Sequence, residues 1–145
     1  MEWYFRSADA TEALRERRAF SEYLRTRCTP ESDCMASEIV YGELVANVVQ
    51  HAPGPIEIML RSNARHAVTI EVYDTASNFR ITRLTEPSLD SESGRGLYII
   101  WRLCGNVSRT KTLNGGKTRV VLPVVALMAL EPGDGSVSRA APEPL

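Results

Sequence analysis

Glu43, Asn47 and His51 are spaced i, i+4, i+8, which on a helix lines them up as one polar stripe. Ala36, Val40, Leu44 and Val48 repeat the same interval on a different face. Such a helix turns core residues to one side and presents a carboxylate, an amide and an imidazole on another. Asp74 closes an apolar alternating run, and Gly94-Arg95-Gly96-Leu97 opens a second helical pattern. A carboxylate, a neutral amide oxygen and a glycine-rich helix start are the parts that a magnesium–nucleotide site requires.

Each residue has a chemical reading and a plainer one. Asn47 offers a carbonyl oxygen to magnesium, which takes octahedral oxygen ligands and draws the rest from water and phosphate; alone it reads more simply as a surface asparagine in a helix. Glu43, one turn earlier amid Leu44, Val45 and Val48, can take a proton from an attacking hydroxyl near a γ-phosphate. His51 most simply closes the helix, where its charge suits the dipole, and could also touch phosphate. Asp74 at a strand end can accept from the exocyclic amine of adenine and reject a base with an acceptor there, or it can simply start a turn. Gly94 and Gly96 let backbone N–H groups approach an anion, with Arg95 adding charge, or they form a hinge. Neither a phosphate-cradling GxxxxGK[ST] loop nor a GxGxxG pattern is present.

Composition narrows the class. The 145 residues suit one domain, 43% hydrophobic and 24% charged, with a net charge of −1. That balance argues against direct nucleic-acid binding and against a basic membrane-surface patch. Cys28, Cys34 and Cys104 lack zinc-ligand spacing and are odd in number, which fits a reducing cytoplasm. The aromatic N-terminus is not a signal peptide, and the longest apolar stretch, Val120–Leu130, is too short to span a bilayer.

The elements that must position these residues follow from pattern. Trp3-Tyr4-Phe5 predicts a first strand, and Ser7 or Asp9 can cap a helix to about Cys28 with Ala13, Phe20 and Leu24 inward. A second helix runs from about Asp33 to His51 and is stopped by Ala52-Pro53-Gly54-Pro55. Ile56–Leu60 and Ala67–Tyr73 form a hairpin about Asn63-Ala64-Arg65. The stretch from Asp74 to Ser93 is polar and aperiodic, the mark of a lid or binding loop. Gly94–Cys104 is a helix with Leu97, Ile100 and Leu103 inward. Asn106–Thr112 and Lys117–Leu122 are strands about an Asn114-Gly115-Gly116 turn. Residues 1–130 make the domain, and Glu131–Leu145, rich in Pro, Gly, Ser and Ala, a disordered tail. The order predicts an α+β fold, helices gathered on one face of a mixed, mostly antiparallel sheet.

Taken together, four motifs resemble the GHKL (Bergerat-fold) ATPases. Glu43–Ala52 resembles that family's N box, Asp74 its first glycine box, Ser93–Ile100 its second, and Gly115–Pro123 its closing Gly-Thr strand. The resemblance implies a two-layer α/β sandwich that binds ATP and Mg2+. It casts Glu43 as catalytic base and Asn47 as magnesium ligand. Asp74 becomes the adenine reader; His51, Gly94, Arg95, Gly96 and Leu97 contribute to nucleotide binding, and Thr118 reaches phosphate. The single small domain is most similar to bacterial anti-sigma-factor serine/threonine kinases. Those proteins are often homodimers; they hold a sigma factor or other regulatory protein and phosphorylate a STAS-domain anti-sigma-factor antagonist. Where the first glycine box carries two glycines, this chain has Ala76 and Asn78. That departure keeps a second reading open, a GHKL-fold adaptor acting by protein binding alone. A third, a detached histidine-kinase catalytic domain, lacks a helical hairpin with a phospho-acceptor histidine.

Overall fold

Alternation along the strands decides which face of the sheet carries the core. In the computed structural model, which describes residues 1–76 and 95–127, the chain runs in the order strand, three helices, two strands, helix, two strands. These are β1 (Glu2–Ser7), α1 (Thr11–Arg15), α2 (Arg17–Arg27), α3 (Cys34–His51), β2 (Ile56–Ser62), β3 (Ala67–Asp74), α4 (Arg95–Cys104), β4 (Ser108–Thr112) and β5 (Gly115–Val125). The strands form one five-stranded sheet, β1-β2-β3-β5-β4. Every ladder in it is antiparallel, so the mixed character expected from the sequence is absent among these strands. Ile56, Ile58 and Leu60, Val68, Ile70 and Val72, and Val120, Leu122 and Val124 are buried on the inner face. The outer face carries Glu71, with Arg61, Lys117 and Arg119 each within ion-pair distance of its carboxylate.

Helix α3 lies between sheet and helices, touching β3, β5, α1, α2 and α4. Its N-terminus is fixed by Asp33, whose Oδ1 accepts from the Ala36 N–H at 2.9 Å. The Asp33 N–H donates to the Pro123 carbonyl at 2.9 Å, tying the helix start to the far end of β5. Near the middle of α3 Trp3, Phe20 and Tyr41 pack together, Phe20 stacked on Tyr41 at 4.5 Å between centroids and Trp3 edge-on to both.

Four expectations need correction. The first helix is two, α1 and α2, broken at Glu16. The Tyr41 hydroxyl donates to the Ala13 carbonyl at 2.7 Å while the Glu16 N–H takes the same oxygen at 3.1 Å, so the ladder is diverted there. Neither Ser7 nor Asp9 is the N-cap of α1, which is Ala10 with no side-chain cap; Ser7 Oγ accepts from the Asp9 N–H and Asp9 Oδ1 from the Thr11 N–H just ahead of the helix. Leu103, expected inward, is 38% exposed on α4, whose buried side is Leu97 and Ile100. The last hairpin turns on Leu113-Asn114, and Gly115 and Gly116 already belong to β5, paired with Thr112 and Lys111.

Residues 77–94 and 128–145 lie outside the described residues, and with them most of the expected loop, Gly94, and the tail beyond residue 130. Among the described residues no helix is long and apolar enough to cross a membrane.

Candidate functional site

The C-terminal part of the polar stripe of α3, Asn47 and His51, runs along the edge of a cleft between that helix and the inner face of β3, β4 and β5. Leu44, Asn47, Val48, His51 and Ala52 line the helical wall, and Val72, Asp74, Ala76, Arg109 and Thr118 the sheet wall. Register explains the second wall. Asp74 continues the inward row Val68, Ile70, Val72, and Thr118 continues Val124, Leu122, Val120. Each row therefore changes from apolar to polar at the same end of the sheet. Val72 pairs with Thr118, and Thr118 with Arg109, which puts the three side by side across β3, β5 and β4.

The cleft is dominated by a residue to which the sequence motifs give no part. Arg109 Nη1 donates to Asp74 Oδ2 at 2.7 Å and Nη2 to Asp74 Oδ1 at 2.7 Å, a bidentate pair whose side chains are each 5% exposed. The same guanidinium donates to Thr118 Oγ1 at 2.9 Å and to the Ala76 carbonyl at 2.8 Å. Asp74 Oδ1 also accepts from the Ala76 N–H at 2.9 Å. Around these bonds the remaining cavity is about 10 Å³, room for about one water. Gly116 supplies the space for the arginine, since a side-chain carbon there would collide with Nη2. The pairing was legible only through parity: with apolar Val107 turned inward, Arg109 two residues on shares its face, and an inward arginine needs a carboxylate.

The other expected residues separate into groups. Asn47 is half-buried and His51 exposed at the end of α3, both on the cleft. Thr118, expected at phosphate, stands beside Asp74 and shares its guanidinium. Glu43 lies one turn back from Asn47, against the start of α4; a methyl on Gly96 would come within 2.6 Å of its Oε1. Gly96 thus permits α4 to close on α3 at that point. Arg95 is exposed at the first residue of α4. The Leu97 side chain is buried in the core, which leaves only its backbone to face a ligand. Gly94 lies outside the described residues.

The donor set suits a magnesium ion held chiefly by phosphate. Among the described residues no three His, Cys, Asp or Glu side chains group into a cage. Asn47 would contribute one neutral oxygen, and water and phosphate the others, as magnesium commonly prefers.

An antiparallel sheet covered on one face by helices, with a polar cleft between the covering helix and the inner strands, defines a GHKL-type ATP-binding fold. The chain belongs to the family described as the histidine kinase-like ATPase domain, which matches residues 7–122. No curated protein matches the chain.

Proposed function

We propose that this chain is an ATP-dependent serine/threonine protein kinase that also serves as an anti-sigma factor in a partner switch. The observation that supports it most is the convergence of Asn47, His51, Asp74 and Thr118 on one cleft of an ATPase-family domain, with Glu43 one turn along the same helix. In this reading Asp74 reads the adenine amine and Asn47 holds magnesium against the phosphates. Glu43 accepts the proton as a serine or threonine oxygen of a STAS-domain antagonist bonds to the γ-phosphorus. The bond from that phosphorus to the bridging oxygen breaks, and ADP leaves. Release of the phosphorylated antagonist would leave the kinase on its sigma factor.

A second reading, an adaptor of the same fold that regulates by binding alone, draws support from the Arg109–Asp74 pair, because that carboxylate already has a partner. Transfer of label from γ-labelled ATP to STAS-domain proteins, by wild type and Glu43→Ala, separates the two. The kinase reading expects transfer by wild type and a loss of about 10²–10⁴-fold in rate in the variant with ATP affinity kept. Transfer by neither, or transfer untouched by the substitution, would remove Glu43 from the chemistry; transfer by neither also puts the adaptor first.

A further inference from the structure

We propose that Arg109 is the residue that sets nucleotide affinity and base selectivity here, by occupying the adenine subsite and competing with the base for Asp74; this rests on the nucleotide reading above. Four observations carry it. The guanidinium fills both carboxylate oxygens of Asp74 and also takes the Thr118 hydroxyl and the Ala76 carbonyl. Ion pair and hydroxyl are buried together, Asp74 9% and Thr118 6% exposed as residues. The cavity beside them, about 10 Å³, admits no purine while the arginine stays. And the backbone is shaped for this occupant, since Gly116 offers room that any side chain would close.

The consequence is a competition with a definite sign. A purine that offers an exocyclic amine to Asp74 must first displace a charged group that makes four hydrogen bonds to the described residues there. A guanidinium held bidentately against a buried carboxylate is a stronger partner than a neutral amine. Nucleotide binding is therefore weakened by the opening of the pair. Any binding through phosphates alone, with Arg109 in place, is indifferent to the base. Arg109 reaches the subsite from β4, an edge strand of the sheet.

The test compares wild type, Arg109→Gln and Gly116→Ala, each first shown to be folded by circular dichroism and a cooperative melt. Arg109→Gln removes the charge; Gly116→Ala keeps it and pushes the guanidinium aside, so the test survives if either variant fails to fold. Magnesium ATP and magnesium inosine triphosphate, which presents an oxygen where ATP has its amine, are titrated calorimetrically into each. The expected result is ATP binding about 10- to 1,000-fold tighter in the variants than in wild type. Preference for ATP over inosine triphosphate should appear or grow with it. Measurable ATP binding that is equal or weaker in the variants would overturn the role of Arg109 and leave the nucleotide site standing. No binding to any of the three proteins would overturn both.

Discussion

The two halves of α3 are stabilised in opposite ways. In the N-terminal half Trp3, Phe20 and Tyr41 form an aromatic cluster in which Phe20 and Tyr41 are fully buried and the one hydroxyl reaches the Ala13 carbonyl. At the C-terminal end the helix faces a cleft whose centre is a buried ion pair. Aromatic packing stabilises a fold directly, by area removed from water and by edge and stacking geometry. A buried ion pair does so weakly, because the loss of hydration for both charges offsets most of their attraction. One half of the helix holds the fold together, and the other borders a buried pair of charges.

The contrast can be broken by substitution, and the largest effects test it first. Phe20→Ala is expected to cost about 3–5 kcal/mol in urea denaturation, because a ring packed on two others leaves a cavity that backbone cannot close. Asp74→Leu alone should cost a similar amount, about 3–5 kcal/mol, by stranding the Arg109 charge. The two regions should then part company: adding Arg109→Met to Asp74→Leu should recover most of that loss, whereas Phe20→Ala leaves no stranded charge for a second change to relieve. A double variant as unstable as the single one would mean that the ion pair itself supports the fold.

Smaller effects sharpen the same comparison. Tyr41→Phe removes only the bond to the Ala13 carbonyl, which keeps the Glu16 N–H as a partner, so about 0.5–1.5 kcal/mol is expected from the same denaturation assay. The cysteines report on packing rather than on chemistry. Burial pushes the Cys28 and Cys104 thiols from 9.0 up to about 11, so at pH 8 the thiolate fraction is on the order of a thousandth and alkylation should be slow until the chain unfolds. The unfolded chain releases these protons near pH 9.0 and the folded one near pH 11. Their contribution to stability is therefore complete below pH 9.0 and lost as the pH rises through about 11, which a denaturation series across that range should show.

The sequence spoke clearly where periodicity and chemistry coincide. The stripe Glu43, Asn47, His51, the stop at Pro53, the first hairpin and the sequential position of Asp74 all follow from spacing, and the structure places them accordingly. It spoke less clearly where residue type has two uses. Gly115 and Gly116 look like turn residues, yet the turn is Leu113-Asn114; the glycines are in β5 because a side chain at Gly115 would strike the Asp74 carbonyl and one at Gly116 the Arg109 guanidinium. The long first helix breaks because a tyrosine far along the chain, Tyr41, takes a carbonyl from it, a tertiary event that no local pattern records. Arg109 carries no local signal of its place. Its partner is 35 residues away, and only the register of three strands brings them together.

A crystal structure of the chain with magnesium and a non-hydrolysable ATP analogue would test the site most directly. The expected result is an adenine amine within hydrogen-bond distance of Asp74, Arg109 turned out of the cleft, and the Asn47 amide oxygen on the magnesium ion. A nucleotide bound elsewhere, or an Arg109–Asp74 pair intact beside a bound base, would contradict it.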